Sequence, residues 1–409
     1  MNIWILTQYF PPEVGAPQAR LSEMARVWNE AGHSVTVLTG FPNHPTGIIP
    51  PEYRGKVFLH ESRNGLVIWR HWLFATPNRG FVKKILCHLS FMISSVLLSL
   101  FRGERPDVMV VSSPTFFSVI SAYVFSRVRR FPYVFEVRDL WPGIFIELGV
   151  LKNRFLIAML EAVERFLYRG AYRVIPVTEG FKENIAARGI QRGKIHVITN
   201  GADLMRFSPG EKNAALLEEL GVPRDKRVVL YAGAHGISHA LQAVLEAAER
   251  IQSRMESVHF LFVGEGAEKQ KLVGIKTERK LENVTFASGV ERDCMTDLYR
   301  SADICLVPLR NIEGFKTFIP SKMFEMMACA RPIIASVRGE AARILESSGC
   351  AEVVPPEDAD ALAESVIRLL ETPGKSQAMG QKGLQYVREH YDRKKLAERY
   401  LEILQEMKS

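Results

Sequence analysis

The chain has few cysteines and none in pairs, no long uninterrupted apolar run and no biased segment, and each shortage removes a class of protein. Its five cysteines, Cys87, Cys294, Cys305, Cys329 and Cys350, are scattered, with no C-x-x-C pair and no His/Cys cluster of zinc-site spacing. A disulfide framework is therefore not expected, and free thiols suit a reducing cytoplasm. Met1 to Leu6 runs directly into a strand-like stretch without a basic flank or a small-residue cleavage site, so no secretory leader is expected. The most apolar run, Ile85 to Phe101, has 17 residues, short of the roughly 20 that a spanning helix needs. Low complexity and solenoid-length repeats are also lacking.

What is there is an alternation of strand-like runs with helix-length segments, the pattern of parallel sheets joined by crossover helices. At 409 residues the chain exceeds the roughly 250 to 300 at which one core usually splits, so two domains are expected. The first series of strands is read at Asn2 to Thr7, Ser34 to Thr39, Val108 to Ser112, Tyr133 to Val137 and Arg173 to Val177. The second is read at Arg227 to Ala232, Val258 to Val263, Asn283 to Phe286, Ile304 to Pro308, Pro332 to Ala335 and Ala351 to Val354. Helices are expected over Ala19 to Ala31 and Phe155 to Arg169. The turn at Asn200-Gly201 and the sequence Phe207-Ser208-Pro209-Gly210 place the break, giving domains 1–207 and 208–392. A last helix within 393–409 has no strand after it and is free to pack back on the first domain.

The net charge of +8 is concentrated: between Arg79 and Arg130 eight Lys or Arg face two acids. This excess flanks the apolar run 85–101, which suits an anionic membrane surface better than nucleic acid. On a helix, Lys84, His88, Ser95, Ser99 and Arg102 share one narrow stripe. Two readings stay open: a helix buried in the first domain, or an interfacial helix with Lys83, Lys84, Arg102 and Arg105 at its ends.

In open parallel sheets, ligands bind beyond the carboxyl ends of the strands. The segment Tyr231 to Ser238 leaves a strand through Gly233 and Gly236 and reaches Ser238, read as a helix N-cap. Its backbone N–H groups suit a phosphate as well as they suit a plain turn. In Ile319 to Ala328, Ser321 reads as an N-cap, and Lys322 in the first turn suits a diphosphate. Glu325, one turn on, can accept from the vicinal hydroxyls of a ribose, although a solvated Glu is the commoner role. Val263-Gly264-Glu265-Gly266 is read as close strand-to-helix packing. Phe10 to Pro17 follows the first strand, and Gly15 there lets the backbone approach a ligand. Glu136-Val137-Arg138-Asp139 ends another strand, with Arg138 and Asp139 open to either a structural ion pair or a functional role. Asp358-Ala359-Asp360 has metal-site spacing, but it opens a helix, where capping and the helix dipole account for its acids. No metal is expected.

Several of these segments fall in one order and spacing: the Gly15 loop, Asn200-Gly201-Ala202-Asp203 followed by Phe207, Val263-Gly264-Glu265-Gly266, Ala302-Asp303, and Phe324-Glu325-Met326-Met327-Ala328 before Arg331-Pro332-Ile333. Over essentially its whole length the chain resembles glycosyltransferase family 4. The resemblance implies the GT-B fold, an α/β architecture of two Rossmann-like domains whose parallel sheets face a deep interdomain cleft. Tyr9-Phe10-Pro11-Pro12-Glu13 and Val137-Arg138-Asp139-Leu140-Trp141-Pro142 resemble the subgroup that includes proposed N-acetyl-L-fucosamine transferases of bacterial O-antigen synthesis.

The activity so implied is retaining, metal-independent transfer of a sugar from a UDP-sugar to a polyprenyl-diphosphate-linked saccharide in O-antigen, capsule or exopolysaccharide synthesis. The donor sugar implied is N-acetylated, such as N-acetyl-L-fucosamine. The C-terminal domain would bind the nucleotide and the N-terminal domain the acceptor. Implied partners are the nucleotide-sugar donor, the lipid-linked acceptor and the anionic inner face of the cytoplasmic membrane, with no nucleic acid. Glu325 would hold ribose, Lys322 and Gly15 the diphosphate, and Asp139 with Arg138 the sugar or acceptor.

The chain departs from the family pattern at three places. Where many members carry a His before the Asp, Arg138 precedes Asp139; the E-x7-E pair keeps only Glu325, with Thr317 at its first position; and the usual Arg and Lys after the first C-terminal strand align with Ala234 and His239. Fixed positive charge is thereby lost from the leaving diphosphate. Lys322, the N–H groups of Gly233 to Gly236, Gly15 and a protonated His239 are the groups left to compensate. A nucleotide-sugar epimerase and a non-catalytic, sugar-nucleotide-binding scaffold of a polysaccharide-assembly complex are the alternatives.

Overall fold

The computed structural model describes residues 1–407 apart from 14, 45, 77–80, 114, 115, 148 and 150. Val14 of the first loop and Arg79 of the basic stretch thus lie outside the described residues. The chain forms two compact units, Met1–Thr199 with Arg393–Ser409, and Asn200–Asp392.

The first unit is built on a seven-stranded sheet of β1 (Asn2–Leu6), β2 (Ser34–Gly40), β3 (Phe58–Arg63), β4 (Leu66–His71), β5 (Val108–Ser112), β6 (Tyr133–Val137) and β7 (Arg173–Pro176). Their spatial order is β3-β4-β2-β1-β5-β6-β7. Central strands such as β5 and β6 are buried along their whole length, because helices cover both faces of the sheet. Ala16–Glu30 and Arg393–Glu406 pack on one face, with Trp28, Leu396 and Tyr400 in its core. Phe81–Ser99, Phe116–Arg129 and Arg154–Gly170 pack on the other, around Phe91, Phe125 and Tyr168. The last helix is tied in by the Trp28 indole, which donates to the Ala397 carbonyl at 2.9 Å, and by an ion pair between Arg393 and Glu23.

Strands β3 and β4 form an antiparallel hairpin that the strand reading above lacks. Its turn is Asn64-Gly65, both with positive φ (51° and 77°), as a two-residue hairpin of this twist requires.

The second unit holds β8 (Arg227–Ala232), β9 (Val258–Val263), β10 (Val284–Ala287), β11 (Ile304–Pro308), β12 (Ile333–Ser336) and β13 (Ala351–Val354), in the order β10-β9-β8-β11-β12-β13. Every pairing is parallel. The division falls at 199/200 rather than at 207/208. Residues 200–207 belong to the second unit because their bonds lead there: Ala202 N–H donates to the Tyr391 carbonyl at 3.0 Å, Arg206 pairs with Asp293 at 2.6 Å, and Phe207 meets the Tyr299 ring.

Candidate active site

Two glycine turns at the carboxyl edge of the second sheet are packed backbone against backbone. Gly233 follows β8 at φ 145° and Gly264 follows β9 at φ 144°, conformations that L side chains rarely adopt. A Cβ on Gly264 would fall 2.0 Å from the Gly233 carbonyl oxygen, and one on Gly266 would fall 2.4 Å from that of His235. The segment Val263–Gly266 therefore buttresses the neighbouring turn, where strand-to-helix packing was expected. Gly233 N–H donates to Val263 O at 3.0 Å and His235 N–H to Glu265 O at 2.9 Å. These two amides, counted among those that could hold a phosphate, are spent on the buttress. Ser238 does not cap a helix: Ile237–His239 is a 3-10 turn, and Ala240, at φ 46°, stands at the N-cap of Leu241–Gln252 without a side-chain bond.

Above this buttress sit Lys322 and three rings. Lys322 opens the seven-residue helix Lys322–Ala328, and Ser321 before it makes no side-chain cap. The Lys322 Nζ lies 3.9 Å from the centroid of Tyr231 and 3.4 Å from the Ala232 carbonyl. A Cβ on Gly233 would sit 3.4 Å from that Nζ, so the fold joins the predicted Lys322 and Gly233. The Tyr231 hydroxyl donates to Ala234 O at 2.7 Å. The rings of His235 and His239 lie 5.8 and 6.0 Å from the Tyr231 ring.

Burial dominates the electrostatics. It pushes the Lys322 ammonium down to about 7, against opposing pulls from Cys305 and Glu325. Burial, with Lys322 adding to it, holds His239 down at about 3; burial and Lys269 hold His235 at about 4. Both imidazoles are thus neutral at pH 7. His235 is fully buried, and neither of its ring nitrogens, nor Nδ1 of His239, has a hydrogen-bond partner among the described residues. Sequence reading passed over His235, although its place inside the glycine turn was the available clue. Glu325 lies on the same helix as Lys322 and accepts from the Tyr299 hydroxyl at 3.3 Å. Thr317 closes the turn Glu313–Thr317, donating to Gly314 O at 3.0 Å. The acids of the 358–360 segment are engaged: Asp358 caps Ala359–Glu371 by accepting from Ala361 N–H, and Asp360 pairs with Arg250.

In the first unit, β6 carries Glu136 into a buried ion pair with Arg20 at 3.2 Å, where the Ser112 hydroxyl also donates to it. Of that strand end, Glu136 is thus structural. Arg138 is buried, its N–H held by Ser113 Oγ at 2.8 Å, and its Nη1 has no hydrogen-bond partner among the described residues. Burial lowers the Arg138 guanidinium to about 10 and raises the Asp139 carboxyl, with mutual attraction opposing both shifts. Gly15 is the extended N-cap residue of Ala16–Glu30, next to the first free amides of that helix.

In helix Phe81–Ser99 polar as well as apolar side chains face the protein, Phe91 and Cys87 among the buried ones. The polar stripe faces the protein: His88 Nδ1 lies 2.6 Å from Gln8 Oε1, Ser95 donates to Ser121 Oγ at 3.2 Å, and Ser99 Oγ is 2.6 Å from His71 Nε2. Leu86, Ile93 and Leu97, on one face at seven and four residues' spacing, point to solvent, and Leu97 is 77% exposed. Lys83 and Lys84 are exposed at the start of the helix. Arg102 and Arg105 are employed in the fold instead, on the carbonyls of Leu98 and Arg130. Among the described residues no helix is long and apolar enough to cross a membrane.

Two α/β units built on largely parallel sheets match the fold of solved glycosyltransferase structures. Residues 15–201 match the glycosyl transferase 4-like domain and residues 226–372 match glycosyl transferases group 1, one model in each unit. The chain is a group 1, 4-like glycosyltransferase of GT-B fold. It is similar to WcaI of Escherichia coli K12, named for glycosyl transfer in colanic acid biosynthesis, with 24% identity over 91% of this chain and 93% of that protein. It is also similar to WbjE of Pseudomonas aeruginosa, named as a glycosyltransferase, with 23% identity over 69% of this chain and 70% of WbjE. Among solved structures, HepE of Anabaena in complex with UDP and glucose superposes with a TM-score of 0.74 at 16% identity, covering 99% of both chains. Sucrose-phosphate synthase of Thermosynechococcus elongatus gives 0.74 at 19% identity, covering 99% of this chain and 98% of the synthase.

Proposed function

We propose that this glycosyltransferase moves an N-acetylated amino sugar, such as N-acetyl-L-fucosamine, from UDP to a polyprenyl-diphosphate-linked saccharide in O-antigen, capsule or exopolysaccharide assembly. Transfer proceeds with retention and without a metal. The observation that carries the donor side is the Lys322 ammonium held over Tyr231 beside Gly233, with Glu325 one turn along the same helix. That arrangement offers a cation to the diphosphate and a carboxylate to the ribose hydroxyls. The complexes of HepE with UDP and glucose, and with UDP-glucose, support UDP as the carrier. The name of WcaI supports a polysaccharide product.

The first unit takes the acceptor, with Arg138 and Asp139 orienting it. The exposed apolar face of helix 81–99, beside Lys83 and Lys84, lies on the anionic inner face of the cytoplasmic membrane, where a lipid-linked acceptor is met.

The deciding experiment is release of UDP from a panel of UDP-sugars, with and without a polyprenyl-diphosphate-sugar acceptor. Acceptor-dependent release is expected. Conversion of the UDP-sugar without acceptor would point to an epimerase, and UDP binding without release under either condition to a scaffold.

A further inference from the structure

The donor site as described holds very little fixed charge for a ligand that brings at least two negative charges. Tyr231 on β8, His235 and His239 in the turn after it, Cys305 on β11 and Glu325 on its own helix are the titratable groups that face Lys322. Lys269 and Glu265 face His235 from the buttressing turn, and the Pro308 carbonyl faces His239. Among the described residues, none of the groups named as facing Lys322 is a second permanent cation, and Ala234 contributes only a methyl group. The hydrogen-bonding capacity is nevertheless there: three buried imidazole nitrogens without partners among the described residues, and an ammonium in contact with a ring face and one carbonyl. A neutral imidazole carries a single N–H, so a diphosphate oxygen can accept from one of the two His235 nitrogens, and leaving that N–H unsatisfied in the free site costs stability.

We propose that the nucleoside diphosphate enters this site together with a proton, which Lys322 takes from solvent, while His235 and His239 stay neutral and His235 offers its single ring N–H to a ligand oxygen. This rests on the nucleotide-binding role proposed above. The balance is simple: Lys322 as the free amine accepts one proton from a buffer acid and becomes the ammonium that the diphosphate oxygens hold. Burial disfavours the charged form in the free site, and the diphosphate reverses that penalty by placing opposite charge a few ångströms away. The sign follows. Because Lys322 of the free protein titrates at about 7, binding below pH 7 takes up little, since the proton is already present. Above it, each unit of pH costs about tenfold in affinity until the pKa of the bound form is reached.

The test is calorimetric titration of the full chain with UDP at pH 8, in buffers of different ionisation enthalpy. That pH lies above the second ionisation of phosphate, roughly 6, so the ligand itself gains no proton. Close to one proton taken up per UDP is expected, together with an affinity that falls about tenfold between pH 7.5 and 8.5. Lys322→Arg, which keeps its charge throughout, is expected to bind UDP with no uptake and a flat pH profile. Heats independent of buffer for the wild type would overturn the inference while leaving nucleotide binding intact. Uptake that persists in Lys322→Arg would overturn the assignment to Lys322. Absence of any UDP binding by a folded wild-type chain would overturn both this and the donor reading. The wild-type measurement stands even if the variant does not fold.

Discussion

The Lys322 ammonium stands over the face of the Tyr231 ring at 3.9 Å, and Tyr231 is itself anchored by the bond from its hydroxyl to Ala234 O. The ring faces the cation without neutralising it, which a carboxylate would do. Removing the ring in Tyr231→Leu forfeits a contact of about 0.5 to 2 kcal/mol. The donor KM is expected to rise about two- to thirtyfold with the acceptor KM unchanged, a split readable by steady-state kinetics in both substrates. Tyr231→Phe keeps the face and is expected to lose less.

Glu325→Ala removes the carboxylate proposed for the ribose. Hydrogen bonds to a charged group are worth about 1.5 to 3 kcal/mol, so the donor KM should rise between about tenfold and a hundredfold. A donor KM equal to that of the wild type would reject the role, whatever happened to kcat.

The contact between the two glycine turns makes Gly264→Ala a severe change. The new Cβ meets a backbone oxygen at 2.0 Å, and the positive φ adds its own penalty. A loss of about 2 to 5 kcal/mol is expected in denaturant unfolding, with weakened UDP binding in any folded fraction. Gly274→Ala is the control: nothing lies within 4 Å of its Cβ and it sits inside the helix Lys269–Glu278, so it should be neutral or stabilising.

The exposed face of helix 81–99 predicts lipid binding that combines apolar and electrostatic parts. Leu97→Glu should weaken flotation with anionic liposomes at all salt concentrations. Lys83→Glu with Lys84→Glu should weaken it chiefly at low ionic strength. Failure of the wild type to float would end the membrane reading.

Much of the scaffold was legible in the sequence because parallel strands buried on both faces announce themselves as runs of Val, Ile, Leu and Phe. All six strands of the second unit were found, the four inner ones in this way and the half-buried edge strands β10 and β13 from their place in the alternation. Strands β3 and β4 escaped because Phe58–Arg63 is half exposed and mixed in character, although Asn64-Gly65 between them is a strong hairpin signal. Lys322 and Gly233 could be read as one site from their places after strands. His235 sits in the same glycine turn, but that its ring nitrogens are left without partners among the described residues is a product of tertiary packing that the sequence does not show. The stripe on helix 81–99 was read correctly as polar. Its direction was not legible, because periodicity shows that two faces differ and only the partners Gln8, His71 and Ser121 show which one is inside.

The helix Arg393–Glu406 supplies Leu396, Ala397, Tyr400, Leu401 and Leu404 to the core of the first unit. On the ribosome those side chains emerge only after the whole of Asn200–Asp392 has been made, an interval of about 10 to 40 s at ordinary elongation rates. Throughout that time Trp28 and the strand residues Ile3 and Ile5 lack the helix that covers them, so the nascent first unit exposes an apolar face. A chain of this design does not mature domain by domain in order of synthesis. Its earliest-made half is the last to be sealed, and holdase chaperones would find their target there.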